Sequence, residues 1–374
     1  LKKSFILFIL ILFNICIFAD WIEIPENSQK KLFESISSNI ETTEIQFSLN
    51  GYDCELISEK NEVYHKISYK NANKLSESLS IGEGEFLEIG KPALPRFSRL
   101  IAIPNKGEVS VEIINIEDEI LYDMNIFPRQ QLQIESQPQI KTFIKDEKFY
   151  SSEEVFPQNV VEIGTPAIMR DFRVVNVTVN PFQYDPQSKE LRLIKNIDIA
   201  VNCFGKSGDN IKINKKKRSR FFESLYKSAI LNYDSTCLRG EEFQQPCYLY
   251  IYPDNSQVES NLQYLVDWKH QKGFDVVAAS TQETGTTLYS IKNYVQDAYD
   301  NWENPPEFIC IIGDAGGGFN IPTGYMGGGE GDQYYVLLEG SDILADAFIG
   351  RLSFNSIYEF QTIIFKILNY EKEP

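Results

Sequence analysis

Residues 309–322 read "ICIIGDAGGGFNIP". The run Ile309–Ile312 shows no polar alternation, as expected of a strand covered on both faces. It stops at Gly313-Asp314, and a loop with Gly316, Gly317 and Gly318 follows. Working outward toward the N-terminus, Pro305-Pro306 close a helix in which Leu288, Ile291, Val295, Ala298 and Trp302 fall in register. "DVVAAS" (275–280) is a second strand. Ahead of it, Gly273 stops a helix whose apolar stripe is Val258, Leu262, Leu265 and Val266. Ser256 and Glu259 have the spacing of a capping box that opens this helix. "YLYIY" (248–252) is the first strand of the series. Strand–helix–strand–helix–strand predicts a mainly parallel sheet with right-handed crossovers. Beyond the glycine loop, "QYYVLL" (333–338) and "DAFIGRL" (346–352) read as two shorter strands. A last helix starts near Asn355, capped by Ser356 with Glu359, and buries Ile357, Phe360, Ile364 and Ile367.

From about residue 20 to 205 the pattern is β-rich instead. "RVVNVTVNPFQYDPQSKELRLIKNIDIAVNC" (173–203) reads as two strands around a turn at Pro181, Pro186 and Gln187-Ser188, with period-two spacing at Leu191, Leu193, Ile197, Ile199 and Val201. The fold class expected is therefore α/β plus all-β: a β-rich region followed by an α/β subdomain. His65 stands alone in the first half and reads as a surface or packing residue.

Between the two halves lies "IKINKKKRSR" (211–220), the one strongly basic run of a chain whose net charge is -17. It reads equally as a solvated linker or as an exposed, protease-sensitive junction. Arg218 and Arg220 are then processing candidates, with Arg239 in "STCLRGEE" a further one nearer the next domain. The expected divisions are 1–19, 20–210, 211–245 and 246–374. The acidic balance argues against a nucleic-acid partner.

Residues 1–20, "LKKSFILFILILFNICIFAD", have a basic start, an apolar run from Phe5 to Phe18, and Ala19 before Asp20. This is a secretory signal layout, and the apolar run is short for a hydrocarbon core of ~30 Å. Export to the medium or the cell surface is expected, without a transmembrane anchor. Outside that segment the cysteines are Cys54, Cys203, Cys237, Cys247 and Cys310, with no C-x-x-C pair, so zinc is disfavoured. Cys310 reads as a small core residue.

The loop after Asp314 has three possible meanings. A phosphate cradle lacks cations: between Lys292 and Lys366 the only basic residue is Arg351. The loop carries neither G-K-[ST] nor a G-x-G-x-x-G that opens a helix. A metal site has better material. Asp314 ends a sheet strand, and "LEGSDILADAF" (338–348) adds Asp342 and Asp346 in a turn with carbonyls between them. Such hard-oxygen ligands suit Ca²⁺. The same aspartates are equally readable as ordinary turn residues.

"DWKHQKGFDVV", "IKNYVQDAY", "FICIIGDAGGGFNIP", "GDQYYVLLEGSDILADAFIGRLS" and "KILNYEKEP", taken in order, resemble the gingipain-type cysteine peptidases of clan CD, whose fold is caspase-like. The resemblance is close over 246–374. "GKPALPRFSRLIAIP", "VNPFQYDP" and "SAILNYD" are similar, more loosely, to that family's pro-region. The resemblance implies that Asp314, the carbonyl of Glu339, Asp342, the carbonyl of Leu344 and Asp346 bind a structural Ca²⁺, with Asp346 standing where a glutamate is usual. It also implies a pro-region packed on the catalytic domain and protein or peptide substrates. The family's thiolate and imidazole are not matched here. His270 sits near a helix C-terminus, where a cation suits the macrodipole, and the expected His and Cys motifs would begin beyond Pro374. The chain is then an inactive precursor fragment, of a peptidase or of a sortase-like relative. The alternative is a non-catalytic, exported, calcium-stabilised binding protein.

Overall fold

The computed structural model describes residues 20–39, 41–69, 83–132, 142–213, 216–236 and 242–372. The signal-like segment, Cys237 and Arg239 lie outside the described residues.

The first part is a β-sandwich. One layer is built on the 15-residue strand Glu190–Phe204. This strand pairs antiparallel with Glu108–Leu121 along one side, and with Phe182–Asp185 and then Thr42–Ser48 along the other. The facing layer orders Ala167–Met169, Phe172–Val179, Pro95–Ile103 and Glu83–Glu85, with Val161–Ile163 also on Phe172–Val179. Phe47, Ile197 and Ile199 from one layer and Phe97, Val175 and Val177 from the other share one buried cluster. Asp20–Glu23, Gly51–Glu59 and Glu62–Ser68 form a third, smaller sheet. The two strands expected over 173–203 are in fact three. Asn180-Pro181 interrupts the first, because proline has no N–H to give a ladder. Phe172–Val179 pairs in one layer and Phe182–Asp185 in the other.

In the second part we number the strands β1 (Cys247–Tyr252), β2 (Asp275–Ser280), β3 (Phe308–Ile312) and β4 (Phe348–Leu352), and the long helices α1 (Ser256–Gln271), α2 (Leu288–Asn301) and α3 (Ile357–Lys372). The sheet is fully parallel, ordered β2-β1-β3-β4. Alternate strand residues serve opposite faces. Leu249, Ile251, Ile309 and Ile311 pack with Ile291, Val295 and Tyr299 of α2. Tyr250, Cys310 and Ile312 pack with Val258, Leu262, Phe360 and Ile364 of α1 and α3. Helices cover both faces, which is why the strands read as unbroken apolar runs.

Three local expectations are corrected. The cap of α1 is Asn255, whose side chain accepts from the N–H groups of Gln257 and Val258. "QYYVLL" is not a strand: Asp332–Val336 is a 3-10 turn in which Tyr335 and Val336 are buried. The Leu337 and Leu338 carbonyls accept from Lys292 and Gln296 of α2. The turn Thr281–Thr284, capped reciprocally by Ser280 and Glu283, was not expected. At α3 the Ser356 hydroxyl does accept from the Glu359 N–H, while the Glu359 carboxylate returns to the N–H of Asn355.

Candidate functional site

The C-terminal edge of the sheet answers the question of the glycine loop. Gly313 has φ +132°, and a Cβ there would lie 2.3 Å from the Phe319 carbonyl oxygen, so only glycine fits this exit from β3. Asp314 accepts from the Ala315 N–H and the Ser353 hydroxyl, each at 2.9 Å, which ties the exit of β3 to that of β4. These hydrogen bonds hold its carboxyl below the usual range. Arg351 grips Asp332 through two bonds of 2.8 and 2.7 Å and donates to the carbonyls of Gly313 and Ile321. The loop is a pinned turn, and its one nearby cation is already engaged.

The N-terminal edge carries the denser chemistry. There the turn 339–346 meets the β-sandwich. The hairpin of Ala167–Met169 and Phe172–Val179 turns at Arg170, which adopts the left-handed φ of +46°. The Ile168 N–H donates to Asp342 Oδ2 at 2.8 Å, and the Arg170 N–H to Asp346 Oδ1 at 2.9 Å. Asp346 Oδ2 accepts from the N–H groups of Leu338 and Glu339, both at 2.8 Å. Asp342 Oδ1 accepts from the Leu344 N–H at 2.9 Å. Asp346 is fully buried, and burial pushes its pKa up to about 6 against the pull of three N–H groups. Burial also raises that of Asp342.

Arg170 locks this contact. Its guanidinium, buried, donates to the carbonyls of Pro305, Pro306 and Asp346 and to Gln244 Oε1. It also lies over the rings of Phe222 and Tyr299. Nearby, Asn210 accepts from the Ser341 N–H. The site was missed in the sequence because Arg170-Asp171 is a charged hairpin tip, and such tips are ordinarily solvated.

The basic run is corrected in the same place. Among its described residues several are not exposed. Lys212 is buried and bridges to Glu339 at 2.7 Å. Lys216 donates to the Tyr299 carbonyl and sits 3.5 Å from the centroid of its ring; desolvation lowers its pKa to about 8. Arg218 pairs with Glu223 and Tyr233. Ser219 is fully buried, donating its hydroxyl to the equally buried Glu307 and its N–H to Asp171. Burial raises the carboxyl pKa of both Glu307 and Asp171. Arg220 is exposed, but Phe222 and Tyr226 just after it join Met169 and Val174 of the sandwich in a cluster that Leu344 and Phe348 also pack against. The bond between Arg218 and Ser219 is thus shielded on its C-terminal side.

The expected calcium set does not come together. Strands β3 and β4 run in parallel register from Phe308↔Phe348 to Ile312↔Leu352. Asp346 precedes the first pair by two residues and Asp314 follows the last by two. At ~3.3 Å per residue they lie on the order of 25 Å apart, and one Ca²⁺ takes ligands at roughly 2.3–2.6 Å. Glu339, whose carbonyl was the expected ligand, has its carboxylate on Lys212 and Tyr299. The side chain of Leu344 packs on the Phe222 cluster. Asp342 and Asp346 face N–H donors. Asp314 therefore cannot share one ion with Asp342 and Asp346, and among the described residues no three His, Cys, Asp or Glu side chains converge on a common metal position.

No thiolate–imidazole pair is formed among the described residues. Cys247 and Cys310 are buried, and burial pushes both thiols up to about 12. Cys54 and Cys203 are raised by the same cause. His65 Nδ1 accepts from the Asn125 N–H, and His270 is exposed beside the Phe274 carbonyl.

Comparisons with known proteins fit this geometry. The family Propeptide_C25 matches residues 23–239, and peptidase family C25 matches residues 241–374. The propeptide match includes the basic run, in keeping with its packing on the sandwich. Gingipain R1 of Porphyromonas gingivalis is 27% identical over 357 residues, which cover 95% of this chain and 34% of that protein. Gingipain R2 of the same species is 30% identical over 292 residues, 76% of this chain and 39% of that one. The chain thus spans little more than a third of the length of these curated relatives. Among solved structures, the complex of Porphyromonas gingivalis RgpB pro- and mature domains matches 54% of this chain and 98% of that chain, at 23% identity and a TM-score of 0.46. Among the described residues no helix is long and apolar enough to cross a membrane. The chain belongs to peptidase family C25, with that family's propeptide region at 23–239 and its peptidase region at 241–374.

Proposed function

We propose that this chain is the propeptide-bearing part of a secreted cysteine-type endopeptidase precursor, and that residues 20–374 folded together are catalytically silent. Family membership supports the reaction class. The observation that carries the silence is that no described thiol stands beside an imidazole: Cys247 and Cys310 lie buried in the sheet, His65 accepts from Asn125 and His270 is exposed, whereas a nucleophilic cysteine needs a nearby base. The layout of residues 1–19 supports export. Processing is best placed at Arg239, because it lies at the border of the two family matches and the peptide bond after Arg218 enters a buried serine. No step of this reading runs through calcium.

The gene downstream of codon 374 tests the reading. An in-frame His followed by a Cys, with thiol-dependent peptide hydrolysis by the longer product and none by residues 20–374, supports it. A stop codon directly after Pro374 overturns the peptidase assignment. Turnover by residues 20–374 alone overturns the silence.

A further inference from the structure

We infer that Asp342 and Asp346 are the docking clamp for the propeptide's edge strand, and that docking closes these carboxylates to a cation. Ala167–Met169 ends its sheet, with only Phe172–Val179 beside it. The backbone of an edge strand points alternate N–H groups outward, unpaired. The outward donors here are those of Ile168 and Arg170, two residues apart, and each meets one carboxylate of the 339–346 turn. The two acids are spaced to match. Asp342 takes one N–H from the strand and one from its own turn, and Asp346 takes one from the strand and two from its own turn. Met169, between the two donors, turns its side chain into the cluster that Leu344 and Phe348 pack against.

The turn is shaped for this task. Gly340 has φ +82°, and a Cβ there would lie 2.5 Å from Asp342 Oδ2, displacing the oxygen that holds Ile168. Asn210, from the chain that follows the sandwich, holds the same turn by accepting from Ser341 and donating to the Pro166 carbonyl. Asp346 is fully buried under the docked strand, and each acid turns one oxygen to a strand N–H, whose positive hydrogen repels a cation and selects polypeptide backbone. The inference goes beyond the peptidase reading and does not depend on activity.

The test uses the full chain with a site-specific protease sequence placed at 237–241, cut after folding. Wild-type fragments are expected to stay together. Asp346→Asn and Asp342→Asn each turn an N–H donor toward an N–H group. Each should raise the Kd of the cut pair roughly 10- to 100-fold, the range of one hydrogen bond to a charged group. Asp314→Asn, at the far edge, should leave it within about twofold. Should Asp346→Asn fail to fold, the half-buried Asp342 decides. Added Ca²⁺ should leave the wild-type Kd unchanged or weaken the pair by competing for the acids. A pair that tightens with Ca²⁺, or Asn variants that hold as firmly as wild type, overturns the inference.

Discussion

Asp314 and Asp346 bracket the same two adjacent strands from opposite edges, and their surroundings differ in every respect that sets a carboxylate's chemistry. Asp314 is partly exposed, bonded to one backbone N–H and one hydroxyl, with a lowered pKa. Asp346 is fully buried, ringed by three N–H groups, with a pKa raised to about 6. Open α/β sheets place their functional crevices at the C-terminal strand ends. In this chain that edge carries a pinned turn, while the buried charges collect at the N-terminal edge, under the propeptide. Position along a strand therefore says little about where the strained electrostatics lie; the layer packed against that edge decides it.

The largest expected effect breaks the buried edge. Lys212→Ala leaves the largely enclosed Glu339 carboxylate with only the Tyr299 hydroxyl as a side-chain partner, and removing one member of such a pair costs about 3–5 kcal/mol. Urea unfolding of the full chain measures it. A loss under about 1 kcal/mol would mean that the edge is hydrated. Arg170→Ala strands the Pro306 and Asp346 carbonyls, while Pro305 keeps the Gln244 amide, and should cost about 2–3 kcal/mol by the same measurement.

Acidity sharpens the contrast. In the folded chain Asp346 holds its proton more tightly than an unfolded aspartate of pKa near 3.9. Its contribution to stability therefore grows as pH falls from 7 through about 6 toward 4, by about 1–3 kcal/mol. Glu371 has the opposite sign. Burial would raise it, but hydrogen bonds from Lys272, Trp268 and Lys269 hold it at about 2, so its contribution is present above about 4.5 and fades toward pH 2. Melting curves of wild type and Asp346→Asn between pH 7 and 5 separate the two. Equal slopes would refute the buried-edge assignment. The smallest effects belong to the exposed edge: Asp314→Asn should leave the stability close to that of wild type. EDTA should not move the melting temperature at all, and a drop of several degrees would restore a structural cation.

Much of the α/β part was legible in the sequence, because helices on both faces make its strands continuous apolar runs and give α1 and α2 clear stripes. The junction was not. Lys212, Lys216 and Ser219 look like a solvated run, yet their partners Glu339, Tyr299 and Glu307 stand 127, 83 and 88 residues away. Local composition cannot see such partners. Asp342 and Asp346 were singled out as calcium ligands, and spacing alone cannot distinguish a ring of N–H groups from a metal ion. Strand order in the sandwich was equally hidden, since a strand's own pattern does not say which other strand it pairs with.

Pro181 has a consequence for how the propeptide comes apart. One continuous stretch of chain feeds Phe172–Val179 into one layer and, two residues later, Phe182–Asp185 into the other. Neither layer can peel away while the other keeps its ladder, because the stitch between them is only Asn180-Pro181 long. The sandwich should therefore melt in a single step and shed its protection against hydrogen exchange from both layers at the same rate.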